Sequence, residues 1–264
     1  MENIVKESKK IVIKIGSSTI TSDDGTIDKN FIENLAYQVK TLIDLGKRVV
    51  IVSSGARVAG VSTIGKWSRK EDINYKQALC AIGQVELMDS YRKIFNNYNI
   101  HIAQILLTKE DFESKARTLN IRNTLFTLLD EGVLPIINEN DTVCVEEIKI
   151  GDNDVLAART AALWGADLLI LLSDIEGIYD KNPSSNEDAK LIEKVTNPYE
   201  LEKNISIGNK SSFGTGGIAT KIEAAKIVNK FGTSLIVAKG KEEDIILKLS
   251  EGIGKGTLFL AENQ

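Results

Sequence analysis

The segment Asn138–Ala158, NENDTVCVEEIKIGDNDVLAA, sets Glu139, Asp141, Asp152 and Asp154 close together, beside Asn138, Asn140 and Asn153. A core cannot absorb so many polar groups, because a buried carboxylate must be paired or bound to a cation. A turn can use some of them, since Asn and Asp side chains bond their own backbone. Two such clusters separated by a short extended segment point to a site that holds an amine, a metal or both, and sites of this kind sit on loops.

Two lysines add a second kind of chemistry. Lys14 interrupts the β-branched run Ile11–Ile15, IVIKI. A cation inside a buried strand is costly unless paired; the alternative is an edge-strand lysine that reaches out to water. Lys221 ends the glycine-rich run GTGGIATK, one turn into a helix, and its plain alternative is a solvated helix lysine. Asp154 opens another helix, where a carboxylate can also serve only as a cap or dipole partner.

Glycine lacks a Cβ, so its amide can approach a phosphate closely, and a helix start offers unpaired N–H groups to an anion. Two stretches fit, Gly16–Thr19 and Gly214–Lys221, each of which could also be an ordinary tight turn. GTGGIA matches the alanine-ended dinucleotide fingerprint, which would point to a nicotinamide-dependent oxidoreductase. That fingerprint follows a strand directly, and here Asn209–Phe213 is polar. It is not a Walker loop, because its lysine arrives late and is followed by Ile222. Lysines, glycine loops and carboxylates together suit phosphoryl transfer, which needs charge neutralisation and alignment more than a reactive side chain.

The elements that must position these groups are legible. Short apolar strands are expected at Ile11–Ile15, Val49–Val52, Ile102–Leu107, Leu134–Ile137, Leu168–Leu172, Leu235–Ala238 and Thr257–Leu260. Helical spacing is expected from Asp28 to Leu45, Tyr75 to Phe95, Leu119 to Leu129 and Val155 to Trp164, and after Gly217. Gly16–Thr19 reads as a loop, and Ser184–Lys210 as a polar stretch of weak periodicity. This alternation predicts a three-layer α/β/α sandwich around a mostly parallel sheet. Most of the polar signals follow a strand: Ser53–Gly55, Asn138–Asp141, and Ser173 with Asp174. In an open α/β sheet such loops share one edge. A change of character near residue 172 divides the single domain into an N-terminal and a C-terminal lobe.

The totals narrow the class. The chain has 264 residues, 42% of them hydrophobic, with a net charge of −4. No basic face is advertised, so nucleic acid is not an expected partner. One histidine, His101, makes multi-histidine metal sites and Ser-His-Asp chemistry unexpected. Cys80 and Cys144 lack CxxC spacing and read as reduced thiols of a cytoplasmic protein. The charged start MENIVKESKK has no apolar core of a signal peptide, and no run approaches membrane-spanning length.

The blocks IVIKIGSSTIT, VVIVSSGARVAG, PIINENDTV, IKIGDNDVLAA, LLSDIEGIYDKNP and GTGGIATKIEAA, in that order, resemble the glutamate 5-kinase family of the amino acid kinase superfamily. The resemblance implies the amino acid kinase fold and ATP-dependent phosphorylation of the L-glutamate side-chain carboxylate, the first step of proline biosynthesis. It implies Mg²⁺ carried by ATP rather than by a protein site. By the family pattern Lys14 and Lys221 would stabilise the phosphoryl group and Asp154 would orient them. Ser54, Asp141 and Asn153 would hold glutamate in the lobe of about 1–172. Ser173, Asp174, Thr215, Gly216, Gly217, Ile218, Ala219, Thr220 and Lys221, with Lys14, would hold ATP in the lobe of about 173–264. A homo-oligomer, proline as feedback inhibitor and coupling to glutamyl phosphate reductase are further expectations. Many members continue into a PUA module; this chain stops after GTLFLAENQ, so a short form is expected, with every catalytic block before residue 222. Acetylglutamate kinase and a non-catalytic amino-acid sensor of the same fold are the alternatives.

Overall fold

A computed structural model of the chain describes residues 1–65, 68–69, 71–144, 153–183, 185–208 and 217–261. Eight strands occur among them: β1 Lys10–Ile15, β2 Arg48–Val52, β3 Ile102–Leu107, β4 Leu134–Glu139, β5 Leu168–Ser173, β6 Lys194–Val195, β7 Ser234–Lys239 and β8 Thr257–Phe259. The chain forms two compact units, one of Met1–Lys14 with Asp154–Gln264, the other of Ile15–Asn153.

In the first unit the strand order is β1-β5-β7-β8-β6. β5 and β7 run parallel from Leu168↔Ser234 to Ser173↔Lys239, while β8 returns antiparallel beside β7. β5 is buried along its whole length. A strand buried on both faces reads as an unbroken apolar run, here LLILLS, because helices cover both sides of the sheet. The start of β1 is pinned by Asp167, whose Oδ2 accepts from the backbone N–H groups of Lys9 and Lys10 at 2.7 and 2.8 Å. That anchor fixes how far along β1 Lys14 falls.

In the second unit β3, β4 and β2 form a parallel ladder, with Ile102↔Leu134 and Ile51↔Ile136 in register. β4 is wholly buried, whereas β3 is only partly covered. Asp28 caps the Lys29–Asp44 helix by accepting from Phe31 N–H, as its sequence position predicts. Helices Ala56–Ile64 and Ile73–Asn96 approach closely at two glycines. A Cβ on Gly83 would lie 1.8 Å from Ala56 O, and one on Gly60 would lie 1.9 Å from Leu79 O.

Three expectations change. Gly16–Thr19 is not an open loop: Ser17–Ile20 makes one helical turn, because the N–H groups of Thr19 and Ile20 both reach Gly16 O. The polar stretch after residue 184 contains the helix Pro198–Gly208. Its start was written in Asn197–Pro198, with Asn197 Oδ1 accepting from Tyr199 and Glu200 N–H and proline in the first helical position. The division between units falls after Asn153 rather than near residue 172, because β5 is bonded to β7 and belongs with the C-terminal elements.

The Gly60–Gly83 approach leaves no space for a methyl group. Gly83→Ala therefore costs roughly 1–3 kcal/mol of unfolding free energy, read as a lower urea midpoint; an unchanged midpoint contradicts this packing.

Candidate active site

Lys14 and Lys221 meet on one carboxylate in the first unit. Lys14 Nζ lies 2.6 Å from Asp154 Oδ1, and Lys221 Nζ lies 3.1 Å from Asp154 Oδ2. Asp154 is fully buried, and each lysine is 4% exposed. Three local features build this arrangement. β1 delivers Lys14 from its far end, Asp154 opens the helix Asp154–Trp164, and Lys221 sits one turn into the helix Gly217–Asn229. Lys221 Nζ also donates to Gly217 O at 3.1 Å, and Thr220 Oγ1 donates to Asp154 Oδ2 at 3.0 Å. Every oxygen of Asp154 thus faces a donor.

Two ammonium groups thus share one carboxylate away from water. Buried charge is costly unless compensated, and two ammonium groups held at fixed positions suit an anionic ligand. Removal from water also strengthens each ion pair. Among the described residues no group of three or more His, Cys, Asp or Glu side chains could hold a metal ion. Asp154, turned toward two ammonium groups, is the wrong donor for a cation and the right one for orienting two positive charges.

The second unit carries a cleft of about 60 Å³ lined by Ser54, Arg57, Cys80, Asn138, Asp141 and Asn153 with their neighbours. Asn153 Nδ2 donates to Ser53 O at 2.7 Å and to Asn138 Oδ1 at 2.9 Å. Asn138 Nδ2 donates in turn to Gln84 Oε1 at 2.8 Å. With both donors of Asn153 spent on protein, its carbonyl oxygen is the atom it can offer a ligand. Asp141 is held through its backbone, where Gln77 Nε2 donates to Asp141 O at 3.1 Å. Burial pushes the Asp141 carboxyl above the usual carboxylate range, opposed by a hydrogen bond from the Cys80 thiol and by the Arg57 charge. Burial and the Asp141 charge push the Cys80 thiol up to about 12, so it stays protonated. An amide oxygen beside a half-buried carboxylate suits an ammonium group.

The structure thus joins Lys14, Asp154 and Lys221, and separately Ser54, Asp141 and Asn153. Ser173 Oγ donates to Asp174 Oδ1 at 2.9 Å at the end of β5, with Asp174 exposed. Gly217, Ile218, Ala219 and Thr220 form the first turn of the Lys221 helix, while Thr215, Gly216 and Asp152 lie outside the described residues. Sequence reasoning missed Cys80 and Arg57 as cleft residues. Cys80 lacks motif spacing, and its placement depends on the helix approach at Gly83. Arg57 stood in plain view within SSGARVAG, directly after a strand-end loop. Among the described residues no helix is long and apolar enough to cross a membrane.

Comparison with known proteins gives this architecture a context. The model of the amino acid kinase family matches residues 9–239. The chain is 66% identical over 261 residues to a glutamate 5-kinase of Alkaliphilus metalliredigens, covering 99% of each. It is 62% identical over 262 residues to one of Alkaliphilus oremlandii, covering 99% of this chain and 100% of the relative. Among solved structures, the UMP kinase of Ureaplasma parvum superposes with a TM-score of 0.67 at 19% identity, covering 96% of this chain and 99% of that one. At that identity the match speaks for the fold alone, the three-layer amino acid kinase sandwich with its mostly parallel sheet.

The raised Asp141 carboxyl has a stability consequence of definite sign. Between the ordinary carboxylate value and the raised one, the folded state keeps a proton that the unfolded state has lost, so stability falls as pH rises. Asp141→Asn removes that dependence. Its unfolding free energy, measured by urea titration without ligand, should gain on the parent as pH rises from about 4 to about 7. A difference that stays flat or shrinks across that range contradicts the burial of this charge.

Proposed function

We infer the reaction from membership: this chain belongs to the glutamate 5-kinases, within the amino acid kinase family. It transfers the γ-phosphoryl group of ATP to the side-chain carboxylate of L-glutamate. A carboxylate oxygen forms the new P–O bond, the bond from the γ-phosphorus to the bridging oxygen breaks, and ADP leaves with that electron pair. The acceptor is already ionised at neutral pH, so no general base is required. What remains to be supplied is alignment and neutralisation of charge.

The observation that carries this reading is the buried pairing of Lys14 and Lys221 on Asp154. Both ammonium groups contact the transferring phosphoryl group, and Asp154 holds them at fixed positions. Preorganised charge of this kind is worth more in a water-excluded site than in solvent. Ser173, Asp174 and residues Thr215 to Lys221 bind ATP, and the glycine run of that segment suits its phosphates. Magnesium brought with the nucleotide would supply further charge neutralisation at its phosphates. Asp141 and the Asn153 carbonyl oxygen receive the glutamate ammonium, and Ser54 holds the same substrate. The unit of residues 15–153 takes glutamate, and the unit of residues 1–14 with 154–264 takes ATP.

An acetylated amine would lose the ion pair with Asp141 and set a neutral amide against that half-buried carboxylate, a large penalty. This sets L-glutamate apart from acetylglutamate. The acyl phosphate product is labile, so hand-over to a reductase is the fitting next step. We extend the reading to a cytoplasmic homo-oligomer, dimer or tetramer, in which proline competes at the glutamate site.

Glutamate-dependent ADP formation with the product trapped as hydroxamate tests the reaction; N-acetylglutamate should give neither signal. Lys221→Met should cut kcat by roughly 10²–10³-fold while a glutamate-binding measurement stays unchanged. ADP formation indifferent to glutamate would overturn the assignment, and an undiminished kcat would overturn the role of Lys221.

A further inference from the structure

We propose that Arg57 binds the main-chain carboxylate of the acceptor amino acid and so decides which of its two carboxylates is phosphorylated. This deepens the proposed reaction and rests on it.

Arg57 is the second residue of the helix Ala56–Ile64 and lines the same cleft as Ser54, Asp141 and Asn153. Its charge is felt at both Asp141 and Cys80, whose proton affinities it lowers. Among the described residues lining it, the cleft therefore carries one charge of each sign within electrostatic reach of one another. That pattern complements a zwitterion. Each partly offsets the other before the ligand arrives, which limits the cost of holding both away from water.

The position of Arg57 argues for an anionic ligand in its own right. A cation in the first turn of a helix opposes the helix dipole. An anion bound there turns that repulsion into a favourable contact. Gly55, Ala56 and Val58 line the cleft beside Arg57. The helix start thus faces it too, with N–H groups that have no intrahelical partner. Gly55 holds φ +94, and a Cβ there would lie 2.7 Å from Ile20 Cγ2, so the turn that aims this helix start is specific to glycine.

Glutamate brings one ammonium and two carboxylates. Asp141 can fix the ammonium, but an ammonium contact alone does not settle which carboxylate meets the phosphoryl group. A guanidinium fork grips a carboxylate through two parallel hydrogen bonds. With the main-chain carboxylate held at Arg57, only the side-chain carboxylate is left to attack.

The test compares L-glutamate with its α-amide, isoglutamine, which keeps the ammonium and the side-chain carboxylate but loses the main-chain charge. The parent protein should favour glutamate in kcat/KM by roughly 10- to 150-fold, as expected for hydrogen bonds to a charged group. Arg57→Met should raise the KM for glutamate by a similar factor, leave the KM values for ATP and isoglutamine within about twofold, and so erase the preference. Arg57→Lys, which keeps the charge without the fork, should recover part of it and serves if the methionine variant does not fold. A parent that does not distinguish the two acceptors overturns the proposal. So does a variant that retains the preference, or one that loses both acceptors equally, as a purely structural arginine would. Absence of glutamate-dependent ADP formation in the parent is a different failure, because it removes the reaction itself and this inference with it.

Discussion

Two ammonium groups held on one carboxylate, all three shielded from water, set the terms for the first unit of this protein. Lys14 arrives on a strand near the start of the chain, and Asp154 and Lys221 arrive on helices from its second half. None of the three is tolerable alone in that environment. A lysine in the middle of an apolar strand must be paired, and a buried aspartate must be bonded. Together they compensate one another. Positive charge held in fixed geometry is what the proposed phosphoryl transfer would use, because such a site stabilises a phosphoryl group without reorganising around it.

Much of the surrounding structure serves to keep those positions. Asp167 fixes the start of β1 through two backbone N–H groups, so the register of Lys14 does not depend on side chains near the site. Gly217 O receives the Lys221 ammonium, which limits where that long side chain can point. The second unit uses another strategy. Its polar groups are linked through amides, from Ser53 O to Asn153 to Asn138 to Gln84, so that both donors of Asn153 are spent on protein. The remaining acceptors and the raised Asp141 carboxyl favour a cationic group, while Arg57 favours an anionic one. A small amino acid is the simplest molecule that satisfies both.

The fold was legible where pattern and burial agree. LLILL is β5 and IVIKI is β1, because strands covered on both faces leave no room for alternation. Asp28 is the cap its position predicts. The lysine pair was legible as two costly residues, and their family pattern named Asp154 as the partner; the distances follow from the register of β1 and cannot be read from a string. Cys80 and Arg57 were not legible as cleft residues. Cys80 reaches the cleft because the Gly60 and Gly83 backbones let two helices approach. Arg57 carries no motif, only an adverse position in a helix dipole. The Pro198–Gly208 helix was missed because weak apolar periodicity outweighed a sound proline start.

Asp154 holds two buried positive charges, and unfolding free energy measures what that holding is worth most directly. Asp154→Ala should be compared with a triple variant that removes all three charges, Lys14→Met, Asp154→Leu and Lys221→Met. The single substitution should cost about 3–5 kcal/mol while the triple variant lies close to the parent. A single variant as stable as the parent, or a triple variant less stable than the single one, would contradict it.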